Sequence, residues 1–297
     1  MTEIQSNGIR LQYDDAGRAT DPAIVFIIGF GLQLIAWPQD LIDGLVEAGF
    51  RVIRFDNRDT GLSQRFPDAG LPDVSSVFAA RTAGLPFDYA YDENDMADDV
   101  ADLIAGLGLS SAHVVGMSMG GRIAQRVALR QPRRVASLTA MMTSSGDPKL
   151  PPGNSSVMKT LMTPPENPTS RKSYVANGMK IARALKSPGF KFDAKAARRS
   201  LEAAFDRSPE IDGYMRNMVA MIAAPPFHYT LTEITAPTMV LHGDADPVLP
   251  VAHAEDLVRR IRGAKLHLIE GWSHEIQSPD VIPLLVTAIS EHCRAAA

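Results

Sequence analysis

The sequence predicts an α/β protein whose mostly parallel, doubly wound sheet is covered by helices on both faces. Short, continuously apolar runs such as 23–28 and 238–241 are typical of buried parallel strands, and segments with helical periodicity follow them. This alternation stops between residues 145 and 234, where helix-like segments follow one another without a strand pattern. We therefore expect one core formed by residues 1–144 and 235–297, and a helical cap inserted at 145–234.

The elements before the insertion follow from the spacing of their apolar residues. Alternation at 9–13 predicts a half-exposed strand near the edge of the sheet, and a stretch rich in proline, glycine and aspartate at 64–91 predicts a loop with a short helix around Val77. Asn94 or Asp95 is expected to cap the helix that follows. The remaining predicted elements are strands at 23–28, 51–56, 113–115 and 135–142, and helices at 38–49, 94–107 and after residue 118.

The insertion begins with a stretch rich in proline, glycine and serine and then predicts three helices. For the last helix of the chain, Ser278 is the expected cap and Pro279 suits the first turn. The predicted elements are helices at 171–185, 194–205 and 210–222 in the insertion, followed by a strand at 238–241, a helix at 253–261, a strand at 265–269 and the last helix.

The composition limits the class of protein and its partners. A chain of 297 residues that is 45% hydrophobic can bury a large core, and its net charge of -4 provides no basic field for nucleic acid. With Cys293 as the single cysteine, no internal disulfide is possible. Because no signal-peptide pattern and no apolar run of membrane-spanning length is present, we expect a cytoplasmic protein without a membrane partner. A homo-oligomer is compatible with this composition.

The segment Gly116-Met117-Ser118-Met119-Gly120 has the pattern of a nucleophile elbow. In such an elbow a sharp strand-to-helix turn exposes the serine hydroxyl, and the flanking glycines let strand and helix approach closely. The context fits, because an apolar run precedes the motif and a helix-like segment follows it. A plain structural turn is the alternative, and the rest of the sequence decides between the two.

A serine nucleophile requires a base, an acid that orients the base, and donors for the oxyanion. In a parallel sheet these groups gather where loops leave the carboxyl ends of the strands. One such loop contains His242, Asp244 and Asp246, and a second, after the last strand, contains His274. The chain order of serine, acid and histidine is typical of hydrolases with a nucleophile elbow.

Four segments match motifs of one family: the glycine loop at 28–31, the segment 54–63, the elbow at 116–120 and the acid loop at 243–250. On these segments the chain resembles the α/β-hydrolase fold superfamily over nearly its whole length. Within it, the Asn-Arg-Asp-Thr-Gly sequence, a Trp-Pro pair and the segment at 228–231 are similar to those of aclacinomycin methylesterase-like carboxylesterases.

The resemblance implies a role for each of five residues. Ser118 is expected to be the nucleophile, His274 the general base and then acid, and Asp246 the group that holds the imidazole. The backbone amides of Phe30 and Met119 are expected to form the oxyanion hole.

Three positions leave alternatives open. Asp244 is a rival to Asp246, although the family spacing favours Asp246. Asp147 is a further candidate, since some members place the acid after the sixth strand. Ile28 stands where the family often has histidine, so the support of the glycine loop is expected to differ while its amide donors remain.

These patterns predict a serine carboxylic ester hydrolase that acts through an acyl-enzyme on Ser118, with a small-molecule ester as its partner. The methionines and aromatic residues of the insertion favour small to medium apolar esters. A lactonase, a C–C bond hydrolase and an acyltransferase would use the same triad, and a non-enzymatic ligand-binding protein would use the same scaffold.

We expect no cofactor and no metal ion in this protein. His242, Asp244 and Asp246 are potential metal ligands, but so short a loop seldom supplies a complete coordination shell. The loop Gly29-Phe30-Gly31 lacks the third glycine of a dinucleotide-binding motif.

Overall fold

The computed structural model describes residues 2–209 and 212–296. Eight strands within these ranges form one sheet in the order β1-β2-β4-β3-β5-β6-β7-β8. The strands from β3 to β8 are parallel to one another, whereas β2 pairs antiparallel with both β4 and the edge strand β1. The strands are β1 (Thr2–Ser6), β2 (Ile9–Ala16), β3 (Ala23–Ile27), β4 (Arg51–Phe55), β5 (Ala112–Met117), β6 (Val135–Met141), β7 (Thr238–Gly243) and β8 (Lys265–Ile269).

Helices connect the strands and lie on both faces of the sheet. They are α1 (Gln39–Glu47), α2 (Val74–Ala83), α3 (Glu93–Gly106), α4 (Met119–Arg130), α5 (Ser155–Met162), α6 (Arg171–Ala184), α7 (Ala194–Arg207), α8 (Asp212–Ala223), α9 (Ala252–Arg260) and α10 (Ile282–Ala295). None of the helices in the described ranges combines the length and the apolar character that a membrane span requires.

Successive residues of β3 show why the sheet needs helices on both faces. Ile24 and Phe26 pack in one apolar cluster with α1 and α10, whereas Val25 and Ile27 pack in the other with α3 and α4. Because side chains alternate along a strand, a continuously apolar strand requires cover on each side. This arrangement confirms the predicted α/β class with a mostly parallel, doubly wound sheet.

Some elements differ from the prediction. The strand β1 and the helix α5 were not predicted. The short helix predicted around Val77 is present as α2, which has ten residues. Glu210 and Ile211, in the predicted helix 210–222, lie outside the described residues.

The predicted caps of two helices were wrong. The residue that caps α3 is Asp92, which accepts hydrogen bonds from the amides of Asn94 and Asp95, while the Asp95 carboxylate accepts one from the amide of Asp92. This reciprocal pair is a capping box, in which each side chain accepts a hydrogen bond from the backbone amide of the other residue. Because Asp92 makes these bonds, the helix begins at residue 93 and not after residue 94 or 95. Ser278 instead precedes a short 3-10 helix, Pro279–Val281, that leads into α10, and its side chain makes no capping bond.

The inserted helices, α5 to α8, lie between β6 and β7 in the chain and are joined to the sheet region by two buried ion pairs. Arg207 of α7 lies 2.7 Å from the Asp56 carboxylate, and Arg216 of α8 makes two bonds of 2.6 and 2.8 Å to Asp59. Both aspartates follow β4 and are fully buried. Buried charges of this kind are stable only when paired, so the pairs fix how α7 and α8 sit on the sheet.

The helix α4, which begins next to the elbow, is tied to α3 by a fully buried carboxylate. Glu93 accepts hydrogen bonds from Arg122 at 2.7 and 2.8 Å and from Arg126 at 3.0 Å. The same two helices are also joined by Arg130, the last residue of α4, and Asp98 of α3, a pair that is partly exposed.

Replacing Glu93 by glutamine is expected to lower the free energy of unfolding by about 3–5 kcal/mol, because two guanidinium groups lose their carboxylate partner in a buried site. The matched change Asp98→Asn breaks an exposed pair between the same helices and is expected to cost about 0–1 kcal/mol. Urea unfolding of both variants measures the difference. An equal loss of unfolding free energy in the two variants would show that burial does not determine how much the Glu93 ion pairs stabilise the protein.

Candidate active site

Ser118 lies at the turn between β5 and α4 with a backbone φ of 55°. A positive φ is uncommon for any residue except glycine, and it persists only where the surroundings impose it. Here the Ser118 amide donates to the Met141 carbonyl of β6 at 3.0 Å, and the Ser118 carbonyl accepts from the Thr143 hydroxyl at 2.7 Å. These bonds hold the strained turn and leave the Ser118 side chain free of backbone capping.

The two glycines of the elbow are required by close packing. A Cβ atom on Gly116 would lie 2.2 Å from the Gly120 carbonyl oxygen, and one on Gly120 would lie 2.1 Å from the Ile27 carbonyl oxygen of β3. Both distances are far below van der Waals contact. The spacing Gly-x-Ser-x-Gly is therefore what allows α4 to start directly against β3 and β5.

His274 connects Ser118 to Asp246. Nε2 of His274 lies 3.1 Å from Oγ of Ser118, and Nδ1 lies 2.7 Å from Oδ2 of Asp246. An ionised carboxylate only accepts hydrogen bonds, so Nδ1 carries the proton and Nε2 is free to accept one from the serine hydroxyl. The three residues come from the ends of β5, β7 and β8, and the structure brings them into one hydrogen-bonded chain.

The Asp246 carboxylate is buried and bonded at both oxygens. Oδ1 accepts from the amides of Val248 and Leu249 at 2.8 and 2.9 Å, while Oδ2 faces His274. Burial raises the pKa of Asp246, but the interactions with His274, with His242 and with the amide of Leu249 together bring that pKa below its ordinary value. Asp246 therefore stays ionised at neutral pH.

The other two candidate carboxylates face elsewhere. Asp244 is exposed and accepts from the amide of Gly271 at 2.6 Å. Asp147 pairs with Arg260. Among Asp147, Asp244 and Asp246, the carboxylate that contacts the imidazole is that of Asp246.

The amides of Phe30 and Met119 lie in the two segments that pass beside Ser118. A Cβ atom on Gly29 would lie 3.5 Å from the Ser118 Cβ, which places the glycine loop directly along the serine. Met119 is the first residue of α4, where amides have no acceptor within the helix. In the described part of the chain neither amide has a hydrogen-bond acceptor, so both are available to a ligand.

The glycine loop is supported by the segment after β4. The Asn57 side-chain amide donates to the Ile28 carbonyl at 3.2 Å, and the Asp56 carboxylate accepts from the Leu34 amide at 2.7 Å. This polar support comes from residues 56–57, whereas Ile28 itself is apolar and fully buried. The sequence places Asp56 and Asn57 in the matched segment 54–63, but it does not predict which groups they hydrogen-bond.

Two residues of the insertion reach the site. Tyr214 is one of the aromatic residues of the insertion that the sequence indicates for a pocket, whereas Ser187 was not predicted. The Tyr214 ring lies 4.1 Å from the Phe30 ring, measured between centroids. The Ser187 hydroxyl accepts from the Ser273 amide at 3.0 Å and donates to the Glu275 carboxylate, so it holds the loop on both sides of His274. Ser187 lies in the connection between α6 and α7, and nothing in its local sequence pattern predicts this contact.

Two comparisons with known proteins identify the family. Residues 22–280 match the family described as alpha/beta hydrolase fold. This chain belongs to the α/β-hydrolase fold family. It is also similar to rhodomycin D methylesterase DnrP of Streptomyces peucetius, with 30% identity over 99% of this chain and 98% of that protein.

Other α/β hydrolases are related at lower identity. A 2-hydroxy-6-oxononadienedioate/2-hydroxy-6-oxononatrienedioate hydrolase of Paraburkholderia xenovorans is 27% identical over 91% of this chain and 86% of its own. The solved structure of a meta-cleavage product hydrolase from Pseudomonas fluorescens superposes with a TM-score of 0.72 at 19% identity, covering 100% of this chain and 98% of that one. At that identity the superposition shows the shared fold alone.

Proposed function

We propose that this α/β hydrolase is a serine carboxylesterase that forms an acyl-enzyme on Ser118. The observation that carries the proposal is the hydrogen-bonded chain from Ser118 through His274 to Asp246, with distances of 3.1 and 2.7 Å. A serine, an imidazole in the accepting tautomer and a buried carboxylate are the groups that acyl transfer to serine requires. The sequence likeness to a methylesterase supports the same reaction class.

In the proposed mechanism, Oγ of Ser118 attacks the ester carbonyl carbon while Nε2 of His274 takes the hydroxyl proton. The carbonyl oxygen becomes an oxyanion, which accepts hydrogen bonds from the amides of Phe30 and Met119. His274 then gives its proton to the leaving alkoxide, so that an alcohol departs and the acyl group stays on Ser118. Water repeats these steps, the acid is released and the serine is restored. The Asp246 carboxylate stabilises the imidazolium that forms in each half.

We further propose that residues 145–234 act as a cap over a core of residues 1–144 and 235–297. The contacts of Tyr214 with Phe30 and of Ser187 with the His274 loop support this, because they place inserted residues directly against the site. The aromatic ring of Tyr214 favours an apolar acyl group next to the oxyanion donors. The likeness to DnrP, a methylesterase, makes methyl esters of apolar carboxylic acids the proposed substrate class.

Hydrolysis of a C–C bond is the second candidate, since a 2-hydroxy-6-oxononadienedioate/2-hydroxy-6-oxononatrienedioate hydrolase is 27% identical to this chain. The proposed triad is compatible with both reactions. The full-length likeness to the methylesterase, at 30% identity, favours the ester.

A substrate panel tests the proposed reaction. Methyl esters of aliphatic and aromatic acids of increasing size are incubated with the protein, and methanol and free acid are quantified with and without ethanol as a competing acceptor. We expect methanol and acid in equal amounts for at least one ester, and little ethyl ester. Dominant ethyl ester would indicate acyl transfer. Cleavage of a vinylogous 1,5-diketone by a protein inactive on every ester would contradict the proposal and favour the C–C hydrolase.

A further inference from the structure

A second histidine lies beside the carboxylate of the proposed triad. His242, in β7, is fully buried, and its Nε2 lies 3.6 Å from Oδ2 of Asp246. This is the same oxygen that accepts the 2.7 Å bond from His274. Two imidazoles therefore face one carboxylate oxygen, and only one of them makes the short bond.

The hydrogen bonds of His242 define its protonation state and its direction. Nε2 lies 2.8 Å from the Leu249 carbonyl oxygen, which only accepts, so Nε2 carries the proton and donates it there. In the described residues Nδ1 has no hydrogen-bond partner. Burial lowers the pKa of His242, and this outweighs the opposing charge of Asp246. The ring is therefore neutral at neutral pH.

Leu249 joins His242 to Asp246. Its amide donates to Oδ1 of Asp246 at 2.9 Å, and its carbonyl accepts from His242. Leu249 therefore ties the acid loop to β7 through His242, and it also holds the Asp246 carboxylate through its amide. A shift of Leu249 would move Oδ1 and, with it, the oxygen that faces His274.

We propose that His242 is a positioning residue for the reaction: its neutral ring holds Leu249 and so keeps the Asp246 carboxylate directed at His274. This inference rests on the proposed function, because it assigns His242 a role through the triad. It adds a fourth residue to the proposed machinery, one that touches neither Ser118 nor the substrate.

The charges around the ring explain why it must stay neutral. The groups that act on it are Asp246 of the acid loop, His274 after β8 and His253 of α9. During the reaction His274 becomes positively charged. A second positive charge 3.6 Å from Oδ2 would compete for the same oxygen and weaken the bond that orients His274. The neutral His242 ring, which donates to the Leu249 carbonyl, avoids this competition.

Three variants of the full chain test the proposal. His242→Leu removes the donor, His242→Asn keeps a polar group too short to reach Leu249, and His242→Gln keeps an amide N–H near the position of Nε2. We expect kcat for the best ester to fall about 10- to 100-fold in the leucine and asparagine variants, with KM changed less than about twofold, because a displacement near 1 Å at reacting groups has effects of that size. The glutamine variant is expected to lie within about threefold of wild type.

A proton NMR spectrum gives an independent readout. The low-field signal of the proton between His274 and Asp246 should be present in wild type and His242→Gln, and shifted or broadened in His242→Asn and His242→Leu. If His242→Leu fails to fold, the comparison of kcat and of the NMR signal between His242→Asn and His242→Gln tests the proposal. Wild-type kcat in the folded asparagine variant, or an equal loss in the glutamine variant, would overturn the proposal. If wild type hydrolyses no ester, the proposed function fails, while the NMR comparison still tests the positioning by His242.

Discussion

Replacing Ser118 by alanine is expected to lower kcat for ester hydrolysis by about 10⁵- to 10⁶-fold, the magnitude found when the nucleophile of a serine triad is removed. The variant loses the atom to which the acyl group would be attached, while His274 and the amides of Phe30 and Met119 remain. Because the remaining groups still bind the ester, ligand affinity is expected to change little. Steady-state rates with the best methyl ester, measured at high enzyme concentration, give the ratio.

Ser144→Ala is the matched control for this change. The Ser144 hydroxyl also contacts a histidine ring, with Nδ1 of His253 at 2.8 Å, but the other nitrogen of that ring faces the Pro151 carbonyl and not a carboxylate. Ser144 is also buried, so it lacks access to a substrate. We expect the Ser144 variant to keep its kcat within about threefold of wild type if it folds. Loss of activity in the Ser144 variant alone would contradict the assignment of Ser118.

The change Asp246→Asn is expected to lower kcat by about 10⁴-fold. The amide keeps the size of the carboxylate, and its oxygen is expected at the position of Oδ1, where the amides of Val248 and Leu249 donate. Its N–H then faces Nδ1 of His274, so the ring no longer holds the required tautomer and its imidazolium loses its counter-charge. Because the substrate does not contact Asp246 in the proposed mechanism, KM should change much less than kcat.

Asp244→Asn is the matched control, because both aspartates belong to the same loop. Asp244 is exposed and bonds to the amide of Gly271, a contact that a side-chain amide oxygen can also make. Its kcat is expected to stay within about threefold of wild type. A large loss of kcat in Asp244→Asn, together with a small loss in Asp246→Asn, would contradict the assignment of Asp246 and indicate Asp244 as the acid.

The sequence predicted the parallel part of the fold well because buried parallel strands are short apolar runs. Strand β3 at 23–27 and strand β7 at 238–243 are of this kind, and both have neighbours on each side. In contrast, β1 is an edge strand with exposed and polar residues, so its composition does not separate it from a loop. The start of α3 was misplaced because several acidic residues compete for the cap, and only the reciprocal bonds of Asp92 and Asp95 select one.

The sequence predicted those residues of the candidate site that belong to a local motif. Ser118 and His274 follow from the elbow and from the loop after the last strand, because strand ends converge at one edge of a parallel sheet. The preference for Asp246 over Asp244 rested on spacing alone, and the distance to the imidazole gives it a physical basis. Contacts between distant segments, such as Ser187 with the His274 loop, depend on tertiary packing and leave no pattern in the local sequence.

The central claim is that an acyl group is attached to Ser118 during turnover. The most direct measurement mixes the protein with an aryl ester, quenches the reaction in acid within milliseconds to seconds, and determines the mass of the intact chain and of its peptides. The account predicts a mass increase equal to the acyl group, located on the peptide that contains Ser118 and absent in Ser118→Ala. Acylation of a different residue, or rapid turnover of the ester by Ser118→Ala, would contradict it.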